Sequence, residues 1–167
     1  DEIEEFKKHE VYTKVPIEQC LDAMCKKPIG VRWIDINKGD TKSPDYRPRL
    51  VAKEIKHDSR DDLFAAAPPL EAKKILFAMA VGTDESGKWL GYKLDFIDVR
   101  RAYFHAKARR TVFIRLPPED SEEGMCGKLN KSLYGTRDAA QNWEHEYIEF
   151  LESAGFKSGI ASPCIFI

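Results

Sequence analysis

Strand-period and helix-period runs are interleaved along this chain without the regular strand–helix–strand spacing of a doubly wound sheet, and that irregularity most limits its fold. Val31 to Ile36 alternates around Trp33 and reads as a strand. Asn37-Lys38-Gly39-Asp40 is a turn signal in a polar loop that runs to Asp45, and Arg47 to Ile55 reads as a second strand. The two predict a hairpin with a basic, mobile tip. After the polar run 56–62, Pro68-Pro69 precedes a helix over about 71–81, with Ile75, Leu76, Met79 and Ala80 as its expected buried face. A turn region from Gly82 to Gly91 leads to an expected strand over 92–99, a short helix near 101–106 and a strand over 111–116. A longer helix from Ala139 to Ala154 has an apolar stripe of Trp143, Tyr147, Phe150, Leu151 and Ala154, and Gly155 is a natural C-cap. Upstream, residues 1–10 read as frayed or helical and Ile17 to Cys25 as a short helix broken by Pro28-Ile29-Gly30. The expected class is α+β, a small, mainly antiparallel sheet with helices packed on one side.

A chain of 167 residues is long enough for a real core and makes one domain or two closely joined subdomains. Its net charge of −1 gives no sign of a nucleic-acid partner, but the distribution does. Residues 99–116 hold Arg100, Arg101, Lys107, Arg109, Arg110 and Arg115 with no acid among them. Glu119, Asp120, Glu122 and Glu123 then reverse the sign. The basic stretch adjoins Leu94-Asp95-Phe96-Ile97-Asp98-Val99-Arg100-Arg101-Ala102-Tyr103-Phe104, in which an apolar strand delivers a carboxylate at Asp98. A strand-end carboxylate is what a hard divalent cation needs, and cations beside it suit a polyanion. The four cysteines and four histidines lack metal-ligand spacing, so free thiols in a reducing compartment are expected. No run is long enough to span a membrane and no signal peptide is visible, which points to an intracellular protein without a membrane partner. With no initiator Met and an end inside the apolar run Cys164-Ile165-Phe166-Ile167, the chain reads as a fragment.

Asp98-Val99-x-x-Ala102-Tyr103-Phe104 resembles the first catalytic motif of reverse transcriptases. Leu133-Tyr134-Gly135-Thr136-Arg137-Asp138-Ala139-Ala140 is similar to the L-Y-G-L-K-Q-A-P motif of copia-type retrotransposon enzymes and follows in the expected order. Arg47-Pro-Arg-Leu-Val-Ala-Lys53 looks like that family's Y-K-A-R-L-V-A-K stretch, and Leu63-Phe64-Ala65-Ala66-Ala67-Pro68 like its T-F-A-P-V segment. The likeness covers residues 31–167 and, more faintly, 10–30, and it divides off 31–167 as fingers and partial palm from an N-terminal lead-in at 1–30.

The resemblance implies an RNA-directed DNA polymerase of a copia-type retrotransposon. Such an enzyme carries out two-metal nucleotidyl transfer from deoxynucleoside triphosphates onto a primer paired with an RNA or DNA template. It implies Asp98 as the catalytic carboxylate bridging two Mg²⁺ ions, with the Val99 carbonyl as a further ligand. Arg101 and Ala102 would offer backbone N–H groups to the triphosphate, and Tyr103 would stack under the sugar and exclude a ribose 2′-hydroxyl. Arg49, with Arg47 or Lys53, would neutralise phosphate charge. Tyr134 and Gly135 would pack against the nucleotide, and Arg137 would touch template or phosphate. The implied setting is the cytoplasm, a virus-like particle or the nucleus.

The departures are Thr136 for Leu, Arg137 for Lys, Asp138 for Gln and Ala140 for Pro, with Tyr103 where copia-type elements more often carry Phe, though it matches retroviral enzymes. The family's second carboxylate motif, an apolar-x-Asp-Asp hairpin, is expected beyond Ile167, so the chain alone is expected to be inactive. The alternative is a non-enzymatic, decayed retroelement relic with at most nucleic-acid binding.

Overall fold

The computed structural model describes residues 2–55, 69–95, 97–160 and 164–166. The expected T-F-A-P-V-like segment Leu63–Pro68 and Phe96 lie outside the described residues. The chain divides into two compact units, Asp1–Phe64 with Arg101–Glu146, and Ala65–Arg100 with Tyr147–Ile167.

The first unit carries both sheets. Helix α1 (Glu2–Lys8) opens with Glu2, Glu4 and Glu5 and closes with Lys7 and Lys8, which matches the polarity of a helix dipole. It buries Ile3 and Phe6. Strand β1 (Tyr12–Pro16) leads into α2 (Ile17–Met24), which Cys25 ends in the left-handed region at φ 51°. β2 (Val31–Asn37) and β3 (Tyr46–Ala52) form the expected hairpin, paired antiparallel from Val31↔Ala52 to Asn37↔Tyr46. Its tip is closed by Asn37, whose side-chain oxygen accepts the N–H groups of Gly39 and Asp45 at 2.9 Å each. β4 (Phe113–Ile114) pairs with β5 (Met125–Leu129), which pairs in turn with β1 from Tyr12↔Leu129 to Pro16↔Met125. The result is an antiparallel three-stranded sheet of order β1-β5-β4.

Side chains alternate across a strand, so the two residues of β4 serve two cores. Ile114 joins Phe6, Val11, Leu50, Phe104, Leu129 and Leu133 on one side. Phe113 meets Cys20 and Cys126 on the other, where α2 lies. The single turn α4 (Ala102–His105) contributes Phe104, 1% exposed and edge-on to Phe6 at 4.7 Å between ring centroids.

The second unit holds α3 (Leu70–Val81), the turn that follows it, and the C-terminal part of α5 (Ala139–Ser153). In that turn Asp84 Oδ1 accepts the N–H groups of Ser86 and Lys88, and Trp89 Nε1 donates to the Ala80 carbonyl. Gly155, at φ 97°, ends α5 as expected: its N–H donates to the Glu152 carbonyl and that of Phe156 to Leu151.

The α+β class holds, and three local expectations are corrected. No strand forms over the described part of 92–99, so Asp98 sits in irregular backbone and not at a strand end. The expected face of α3 is only partly covered: Leu76, Met79 and Ala80 are half-buried together with Ala72, but Ile75 is 60% exposed and no residue of the helix is buried. Apolar residues also occupy its open side, as at Phe77 and Val81. In α5 Phe150 is 69% exposed, while the buried positions are Ala139 and the polar Asn142, whose amide finds partners inside.

Candidate functional site

The two segments joined by the β2–β3 hairpin and the 133–138 loop place three of the named side chains together. Arg49 is half-buried on β3, opposite Ile34. Its guanidinium carbon lies 5.1 Å from the centroid of the Tyr134 ring, a cation–π arrangement. Tyr134 in turn meets Tyr103 of α4, with ring centroids 4.8 Å apart and planes tilted by 53°. Burial pushes the Tyr134 hydroxyl above its usual range, with Arg49 acting in the opposite sense. The phenol is therefore neutral, and the cluster presents one cation and two aromatic rings, which suits an anionic ligand with a flat or sugar-like body.

The next residue explains why the loop runs so close to β3. The Tyr134 carbonyl accepts the N–H of Ala52 at 2.7 Å, extending the ladder beyond the strand end. Gly135 has φ +83°, and a Cβ there would stand 2.1 Å from the Ala52 carbonyl oxygen and 2.5 Å from Val51 Cγ1. Only glycine fits both the dihedral and the gap. Thr136 closes the turn with its hydroxyl on the Leu133 carbonyl at 2.8 Å. The Arg137 N–H donates to Glu54 Oε2 at 2.8 Å.

Arg101 is in the left-handed region at φ 51° and precedes α4, whose first residue is Ala102. Its side chain turns to α1, with Nη2 2.8 Å and Nε 3.1 Å from Glu2 Oε2. Arg47, offered as company for Arg49, pairs with Asp45 at 3.0 Å. Asp98 and Val99 belong to the second unit and are exposed. Among the described residues no three His, Cys, Asp or Glu side chains gather into a set that could hold a metal ion. The described donors therefore do not make a metal site by themselves.

Reading the sequence missed a second cluster. Arg110 Nη2 donates to Glu54 Oε2 at 2.6 Å and to Asp138 Oδ1 at 2.8 Å. Asp138 Oδ2 accepts from Asn142 Nδ2 at 3.0 Å, and the same amide reaches Ser132 Oγ at 3.0 Å. Burial would raise the Asp138 carboxyl, but Arg110 and Asn142 outweigh it and hold it below the usual carboxylate range. The only sequence signal was that Asp138 departs from a motif.

Comparison with known proteins follows from this geometry. The family described as reverse transcriptase (RNA-dependent DNA polymerase) matches residues 14–167. The retrovirus-related Pol polyprotein from transposon TNT 1-94 of Nicotiana tabacum is 24% identical over 174 residues, covering 99% of this chain and 12% of that protein. The corresponding polyprotein from transposon RE1 of Arabidopsis thaliana is 28% identical over 148 residues, covering 83% of this chain and 10% of that protein. The truncated transposon Ty1-A Gag-Pol polyprotein of Saccharomyces cerevisiae is 23% identical over 123 residues, covering 72% of this chain and 10% of that protein. The chain spans about a tenth of the length of these curated relatives. No solved structure matches it. These matches bear out the copia-type resemblance carried by the motifs.

Proposed function

The chain belongs to the reverse transcriptase (RNA-dependent DNA polymerase) family, and from that premise we propose that it forms the fingers and part of the palm, residues 31–167, of a copia-type retrotransposon polymerase. Enzymes of this family act on a nucleic-acid template with deoxynucleoside triphosphates and use a divalent metal. The reading for this chain is that its first unit binds the incoming deoxynucleotide. The observation that carries it is the Arg49–Tyr134–Tyr103 cluster, drawn from three separate motifs of the sequence.

Arg49 neutralises phosphate charge, the Tyr134 ring and Gly135 backbone form the wall, and Tyr103 stands under the sugar. Ala102 and Arg101 border the same turn and Arg137 the template side. Asp98, with the Val99 carbonyl, is this chain's contribution to a two-Mg²⁺ site. Several carboxylates must clamp such a pair of ions, and this chain supplies no such set among its described residues. Primer and RNA or DNA template are the proposed macromolecular partners, held largely through phosphates. Among the described residues no helix is long and apolar enough to cross a membrane.

The test is a titration of the isotope-labelled 167-residue chain with dGTP, followed by NMR. Shifts centred on Arg49, Tyr103, Tyr134 and Gly135 are expected. Shifts confined to other residues, or none at millimolar dGTP, would remove the reading.

A further inference from the structure

We infer that Arg110 is a positioning residue for the nucleotide wall, acting as a clamp that ties the end of β3 to the 133–138 loop. This rests on the nucleotide-binding reading of Tyr134 and Gly135, and adds to it Arg110 and Glu54, which lie outside the motifs that suggested it. One guanidinium nitrogen, Nη2, bonds two carboxylates that lie far apart in sequence, Glu54 just past β3 and Asp138 at the entry to α5. Both acids are held in largely closed surroundings, their side chains 14% and 8% exposed. Without the cation they would face each other with only the neutral Arg137 N–H and Asn142 amide as donors, an arrangement that favours a local rearrangement or a proton uptake.

What would move is defined by the bonds around the clamp. Glu54 Oε2 accepts both Arg110 Nη2 and the Arg137 N–H, so the carboxylate holds the loop only where Arg110 leaves it. The loop touches β3 at two further points, the Tyr134 carbonyl on Ala52 N–H and the gapless approach of Gly135 to Ala52. On its far side Asp138 is braced by Asn142, itself bonded to Ser132. Tyr134 lies between these anchor points, and its ring meets Arg49 and Tyr103 only while they hold the loop in register. The Asp138 carboxyl, held below the usual range, stays ionised for the clamp at neutral pH.

The experiment compares the wild-type chain with Arg110→Gln, Arg110→Lys and Asp138→Asn. It reads the thermal midpoint, the NMR cross-peak between the Tyr103 and Tyr134 rings, and dGTP affinity. Arg110→Gln is expected to weaken the cross-peak and raise the dGTP Kd about tenfold, and Asp138→Asn about threefold. Arg110→Lys keeps a cation with three donors on one nitrogen, enough for both carboxylates, and is expected to recover most of both signals. A lower midpoint with unchanged cross-peak and Kd would make Arg110 a packing residue and overturn the inference. If Arg110→Gln does not fold, Asp138→Asn decides by the same two signals. A wild-type chain that binds no dGTP would remove the nucleotide reading, and the ring cross-peak across the variants would then decide the clamp alone.

Discussion

Gly135 and Tyr103 show how differently two residues of the proposed site depend on their side chains. At Gly135 the backbone is left-handed and the neighbouring carbonyl occupies the place of a Cβ. Gly135→Ala is therefore expected to cost about 3 kcal/mol or more, read by urea denaturation, because strain and overpacking act together. An unchanged midpoint would mean that the loop does not approach β3 so closely. Tyr103 is half-buried, and its ring rests on Tyr134 and not deep in the core. In a full-length parent polymerase Tyr103→Phe should change little, since ring volume sets a steric limit. Tyr103→Ala should raise ribonucleotide incorporation relative to deoxynucleotide. If instead the thermal midpoint falls by the amount expected of a core aromatic, about 3–5 kcal/mol, with the ratio unmoved, the ring is packing only. Arg49, Tyr103, Tyr134 and Gly135 could be proposed from the sequence because each belongs to a local pattern, and the side chains of the first three do meet. Arg110 and Glu54 could not be proposed in this way, since ion pairs between positions 28 and 56 apart leave no local trace.

Elements follow the same division between local and distant causes. The β2–β3 hairpin, α3 and α5 were readable because their turn, cap and periodic signals lie within the segments themselves. β1 and β5 were not, because Tyr12 pairs with Leu129 across the whole unit and β5 contains a glycine at 127. Over the described part of 92–99 the expected strand does not form: Tyr92, Leu94, Ile97 and Val99 are all exposed, so among these residues the alternation buries nothing. Side-chain bonds reinforce the distant pairing: Tyr12 donates to Asp120 Oδ2 at 2.7 Å, and Lys14 lies 3.1 Å from Oδ1. Tyr12→Phe should lower stability by about 1 kcal/mol in chemical denaturation, with no change if the bond is absent in solution. For the Asp120 carboxyl, burial is outweighed by Tyr12 and Lys14, and like Asp138 it lies below the usual range in the folded chain. Because folding depresses both values, their stabilisation is complete above the unfolded carboxylate range. It is lost as pH falls from about 4 through the lower folded values. Thermal midpoints measured between pH 6 and pH 2 should decline in the wild type. The decline should be shallower in Asp138→Asn, which starts from a lower midpoint; identical slopes would deny Asp138 that role.

At the scale of the whole molecule, the chain joins a unit with two sheets and a closed core to a second unit that buries much less. The proposed division of labour gives nucleotide contact to the first and the Asp98 carboxylate to the second. Two-metal transfer needs ions about 3.5–4 Å apart held by several carboxylates. Primer extension by the 167-residue chain in Mg²⁺ is accordingly expected to be undetectable. Activity that Asp98→Ala abolishes would show that the missing carboxylates lie within it. The apolar circumference of α3 has a consequence for handling the protein. With Ile75, Phe77 and Val81 open to water, and Trp89, Leu90 and Ile97 exposed in the same unit, the chain expressed alone should be sticky. It should light up anilinonaphthalene sulfonate in its native state, sediment as concentration-dependent clusters, and stay dispersed once those positions carry charge.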